Sequence, residues 1–136
     1  MKKVRIILLT MLVMGVLTAC GAGKLSENYV EDDVITKAEQ VVELFNDKDY
    51  QAVTDMVRED LQEQLSADVL KSALDEKLTA AGEFMEYSQS ATAGQQDKST
   101  GEDYAIVVLI CKYQNSNLTF TISMDEDMNL VGIYMK

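Results

Sequence analysis

At Gly82 the apolar residues of this chain change their period, and this change constrains the fold more than any other feature of the sequence. Before it they recur at helical spacing. Val34, Ala38, Val41, Val42 and Phe45 follow i, i+4, i+7, i+8, i+11 and predict a helix over 31–46. Glu31, Asp32 and Asp33 stand at its start, where the helix dipole favours acids. Asn46-Asp47-Lys48-Asp49 reads as a break, and Tyr50, Val53, Met56, Val57 and Leu61 predict a second, short helix. Ser66 suits the N-cap of a third, with Asp68 in its first turn. Leu70, Ala73, Leu74, Leu78 and Ala81 form its apolar face, and Gly82 stops it.

After Gly82 the spacing is that of strands. Glu83 to Ala93 alternates weakly, and Gln95 to Glu102 is a polar loop. Tyr104 to Tyr113 is almost continuously apolar and reads as a central strand. Leu118, Phe120, Ile122 and Met124 alternate with Thr119, Thr121 and Ser123, and Leu130 to Lys136 is a final strand. Helices followed by strands in segregated order define an α+β fold, with the N-terminal helices packed on one face of a four-stranded antiparallel sheet.

The first 20 residues carry an address. Lys2, Lys3 and Arg5 precede an apolar run from Ile6 to Val16, too short for a spanning helix, which needs about 20 apolar residues. Leu17-Thr18-Ala19-Cys20 follows and resembles the bacterial lipobox. That resemblance implies that the Cys20 sulfur receives a diacylglyceryl group and that cleavage falls between Ala19 and Cys20. Residues 1–19 are then a signal peptide, 20–30 the lipidated cysteine and a flexible tether, and 31–136 the folded domain. At ~5–6 Å × √n, a nine-residue tether over 21–29 reaches about 15–18 Å. Two acyl chains anchor stably, each buried CH₂ contributing about 0.8 kcal/mol. The expected location is the outer side of the cytoplasmic membrane.

Charge and composition exclude several functions. Without Lys2, Lys3 and Arg5, nine basic residues face 23 acidic ones, a net of −14. Such a surface repels phosphate backbones, so no nucleic-acid partner is expected. The absence of histidine removes Ser-His-Asp and Cys-His catalysis and histidine-containing zinc sites. Of two cysteines one is the lipidation candidate, and Cys111, inside the apolar strand, reads as a small buried hydrophobe. Asp125-Glu126-Asp127-Met128-Asn129 has the spacing that begins a calcium loop. Leu130 and Lys136 stand where such a loop needs Gly and Glu, so a charged hairpin turn is expected. No cofactor or metal is expected. Tyrosines 50, 87, 104, 113 and 134 near carboxylates leave an isomerase-like use of an apolar pocket as an alternative.

The segment Glu43-Leu44-Phe45-Asn46-Asp47-Lys48-Asp49-Tyr50, the helix near Leu70, Gly82 before the first strand, and Phe120…Asp125…Leu130-Val131-Gly132 together resemble a known family. It comprises small extracytoplasmic bacterial domains designated domain of unknown function 3887, and the resemblance spans about residues 31–136. It implies a nuclear transport factor 2-like cone, related to cystatin, in which a bent sheet wraps around helices. It implies no catalytic residue.

The expected function is therefore a non-enzymatic, membrane-anchored binding module. Its expected partners are the membrane, a second copy or another envelope protein, or a small apolar ligand. A structural dimerisation module is the further alternative. If Asn115-Ser116 is the hairpin turn, residue 113 pairs with 118, 111 with 120, 109 with 122 and 107 with 124. Val107, Leu109, Cys111 and Tyr113 then face the helices, and Tyr104, Ile106, Val108 and Ile110 form an apolar row on the other face, an expected interaction surface. For the anchor, Cys20→Ser is expected to abolish palmitate labelling and either to release the protein from the membrane or to leave it as an unprocessed precursor. Labelling equal to that of the unaltered protein would refute the lipobox.

Overall fold

The computed structural model describes residues 23–136. Cys20 and the cleavage position at Ala19 lie outside the described residues, as does the apolar run before them. Among the described residues no helix is long and apolar enough to cross a membrane.

Helix α1 (Glu31–Asn46) buries the five apolar residues that its period selects. The chain reverses through Lys48, whose φ of 59° is left-handed, and Asp49 caps α2 (Tyr50–Met56) by accepting from the Ala52 amide at 3.2 Å. The second helix is shorter than the spacing predicts. It ends at Met56, Val57 is extended, and a single 3₁₀ turn follows at Glu59–Leu61. The reason is tertiary: Val57 forms a parallel bridge with Leu130, and the Arg58 amide donates to the Leu130 carbonyl at 2.9 Å. Sheet pairing at that edge replaces the helix's own hydrogen bonds. Helix α3 (Ala67–Ala81) starts as expected at Ser66, whose Oγ accepts from the Val69 amide at 3.3 Å.

Four strands follow: β1 (Phe84–Gln96), β2 (Asp103–Tyr113), β3 (Asn117–Met124) and β4 (Leu130–Met135). They form an antiparallel sheet in sequential order. The helical layer covers one face. Phe45 of α1 stacks on Phe120 of β3 with ring centres 6.0 Å apart. Val107, Leu109, Cys111, Phe120, Ile122 and Met124 are buried beneath the helices. The expected α+β architecture is the one found.

The β2–β3 register differs by two residues from that expected. Cys111 pairs with Leu118, Leu109 with Phe120 and Val107 with Ile122. The turn is Gln114-Asn115, closed by the Tyr113 amide on the Ser116 carbonyl at 2.9 Å. Neither turn residue has positive φ, so this is not one of the primed turns that fix a two-residue hairpin by its own geometry. The turn is set instead by docking on the end of α3. The Gln114 amide donates to the Glu83 carbonyl, the Asn115 amide to that of Ala81, and the Asn115 side chain to that of Ala80. A shift of two preserves the facing of every side chain.

The tether expected over 21–29 is also revised. Residues 23–29 are laid on the domain: Gly23 and Gly94 exchange two backbone hydrogen bonds of 2.9 Å, and Tyr29 is buried. The folded unit thus extends back from residue 31 to residue 23.

Gly82 ends α3 with φ 83° and ψ −148°, a conformation almost restricted to glycine. A Cβ there would lie 3.0 Å from the side chains of Gln114 and Asn115. Gly82→Ala is expected to destabilise the domain by about 1–3 kcal/mol. A urea denaturation midpoint left unchanged would refute this account of the α3–β1 junction.

Candidate functional site

The face of the sheet turned away from the helices is built by alternation. Along β2 it carries Tyr104, Ile106, Val108 and Ile110, as expected from the sequence. Their neighbours on β3 are Ser123, Thr121 and Thr119, opposite Ile106, Val108 and Ile110 respectively. On β1 the flanking residues are Gln89, Ala91, Ala93 and Gln95, and on β4 Gly132 and Tyr134 continue the face. The four β2 side chains are half-buried by these neighbours, whereas Tyr134 is 62% exposed. The surface is an apolar row bordered by hydroxyl, small and amide side chains.

At the Tyr104 end the row runs into a groove of about 550 Å³. Its polar lining comes from Gln95, Gln96, Asp97, Lys98 and Ser123, and Arg58 and Leu61 enter from the segment that runs beside β4. Arg58 is the organising charge. Its guanidinium lies 2.7 Å from Asp60, 3.2 Å from Glu102 and 3.8 Å from the buried Asp125. Asp60 first, then the neighbouring Tyr104 phenol, raise its pKa above the ordinary arginine value. The same contact holds the Asp60 carboxyl below the usual carboxylate range. With three carboxylates around one cation, the local charge stays negative.

No motif or period in the sequence marks Arg58. The available signal was its rarity, because it is the sole arginine after Arg5. A planar five-donor head suits a position that must tie several carboxylates at once.

The other candidates do not converge. Tyr50 donates to Asp75 at 2.7 Å, Tyr87 to the Glu39 carbonyl at 3.1 Å, and Tyr113 to Asn46. Burial raises the pKa of all three phenols, so each stays protonated and serves as a donor within the fold. Tyr29, absent from the sequence-based candidates, donates to the Asp103 carbonyl at 2.5 Å. Burial, then Glu126, Asp125 and Asp103, push its phenol up to about 12.

Cys111 is buried on the helix-facing side of β2, and burial, with the Glu39 charge, pushes its thiol up to about 12. Burial and the raised pKa both favour the un-ionised thiol, which is a weaker nucleophile than the thiolate. Asp125 Oδ1 accepts from the Asp127 and Asn129 amides at 3.0 and 2.9 Å, closing the β3–β4 turn around Met128, whose φ is 66°. That carboxylate shapes the hairpin expected at 125–129.

A family model described as "Protein of unknown function (DUF3887)" matches residues 38–133. The chain belongs to this family. The solved structures include a similar one, described as "NMR structure of protein from Ruminococcus gnavus ATCC 29149". It is 30% identical, the match covers 84% of this chain and 97% of that one, and the TM-score is 0.75. No curated protein matches.

Arg58 joins the 3₁₀ turn, the entry to β2 and the β3–β4 turn mainly through charge. Arg58→Gln is expected to cost about 1–2 kcal/mol, since partly exposed pairs contribute roughly 0.2–1 kcal/mol each. The difference from the unaltered protein should shrink in 1 M salt, where the screening length is about 3 Å. Equal thermal midpoints at low salt would show that the cluster ties nothing together.

Proposed function

We propose that this protein is a lipid-anchored, extracytoplasmic binding module without catalytic activity, whose open sheet face receives a second protein chain. The observation that carries the proposal is the row Tyr104, Ile106, Val108 and Ile110 on the face that the helices leave uncovered. Single exposed apolar residues are ordinary, but a contiguous row across the centre of a sheet marks an association surface. Its borders of Thr119, Thr121, Ser123 and Gln95 supply hydrogen-bonding groups around that centre, the arrangement of a protein interface.

The anchor is Cys20, placed by the lipobox on the outer side of the cytoplasmic membrane, with cleavage after Ala19. A net of −14 argues against a nucleic-acid partner. The non-catalytic reading is supported by how the polar groups are used. Tyr50, Tyr87 and Tyr113 bond to the helical layer, and Asp125 is committed to its own turn and to Arg58. Irregularities in the pairing of β1 with β2 and of β3 with β4 favour a bent sheet, which supports the reading of the fold as a nuclear transport factor 2-like cone.

The test is the pair Ile106→Asp and Val108→Lys, with mass measured by light scattering and folding by circular dichroism. A dimer converted to a folded monomer is the expected outcome. A monomeric unaltered protein, indifferent to both changes, overturns self-association. Loss of folding shows that the row is core.

A further inference from the structure

Residues 23–29 form a strap, and its attachment is specific. The edge strand β1 offers mostly small residues to the helix side along its second half: Ser90, Thr92 and Gly94, opposite Leu109, Val107 and Ala105. The strap supplies what these lack. Leu25 packs against the core and Tyr29 joins it. Tyr29 bonds to the Asp103 carbonyl, and Asn28 to Glu126 at 2.6 Å, so the strap spans the start of β2 and the β3–β4 turn. Gly94 is required: a Cβ there would stand 2.4 Å from the Lys24 carbonyl oxygen.

Only three residue steps separate Gly23 from Cys20, at most about 11 Å of chain. Gly94 lies two residues before the end of β1 at Gln96, so the bridged Gly23 sits at the end of the sheet that carries the β1–β2 hairpin tip. Building on the lipoprotein reading, we infer that the strap makes the anchor a rigid mount, holding the hairpin tip (residues 97–102) and the Arg58 groove beside it against the bilayer surface. The opposite end of the sheet, at Lys112, points away from the membrane. Nine residue steps along β2 separate Asp103 from Lys112, about 30 Å.

The experiment uses the full lipidated chain in phosphatidylcholine vesicles containing a headgroup-nitroxide lipid. A fluorophore is attached at Lys98→Cys or, separately, at Lys112→Cys. The buried Cys111 and the acylated Cys20 do not compete for label. Quenching at position 98 is expected to exceed that at 112 several-fold. Gly94→Val is expected to level the two values and to open Lys24 to trypsin, with the circular dichroism spectrum retained. If that variant does not fold, the comparison of 98 with 112 in the otherwise unaltered chain decides by itself. Equal quenching on acylated protein overturns the mount and leaves the lipoprotein reading intact. Absence of acyl mass on Cys20 overturns both.

Discussion

The contact between α1 and the centre of the sheet governs the rest of the molecule. Phe45 meets Phe120 from the opposite layer, with ring centres 6.0 Å apart and planes at 14°, and Tyr50 tilts onto Phe45 at 6.1 Å. Around these rings Val34, Val41 and Val42 of α1 and Val107, Leu109 and Ile122 of the sheet are essentially removed from water. Full burial of each such side chain contributes about 1.5–3 kcal/mol. Side chains alternate along a strand, so choosing this face for the helices assigns every other β2 residue to the opposite one.

That assignment rests on β3 more than on β2. Strand β2 is apolar on both faces, and a one-residue slip would exchange Val107 and Leu109 for Ile106 and Val108 at little cost in hydrophobicity. Strand β3 cannot make the exchange, because its other face is Thr119, Thr121 and Ser123. Burying three hydroxyls without partners would cost roughly 1–3 kcal/mol each. The polar parity of β3 therefore commits the ambiguous strand beside it, and the apolar row on the open face is a consequence.

The polar groups reinforce the same arrangement. Lys48 reaches Asp75 at 2.9 Å and Thr79 at 2.8 Å, while Tyr50 donates to the same Asp75. These bonds join α2 to α3 and hold the Asp75 carboxyl below its ordinary range, chiefly through Lys48. Asp75, Asp60 and Asp97 all have lowered folded pKa values. Their contribution to stability is present above the ordinary carboxylate pKa and is lost as pH falls through the depressed values. At the other end of the sheet Arg58 and the strap close the structure, with a cation and a buried phenol respectively.

Period and parity were legible in the residues themselves. The helix over 31–46, the Ser66 cap, the Gly82 stop, the segregated α+β order and the sharing of one face by Tyr104, Ile106, Val108 and Ile110 all follow from local spacing. So does the acidic hairpin at 125–129. Local spacing could not place interactions between distant segments. Val57 and Leu61 keep helical spacing, yet pairing with Leu130 draws Val57 into extended backbone. Asn115-Ser116 is a sound turn, yet docking on Ala80, Ala81 and Glu83 moves the turn to Gln114-Asn115. Gly23 and Lys24 look like linker, yet the missing side chain of Gly94, 71 residues away, admits them to the sheet edge. The sequence alone determined the order of helices and strands and which residues within them share a face, because those depend on neighbours a few positions away, whereas the ends at Val57 and at Gln95–Gln96 were set by pairing with other segments. Register, the strap and the Arg58 cluster were decided only by tertiary structure, because each depends on an amide or charge that folding brings from another part of the chain.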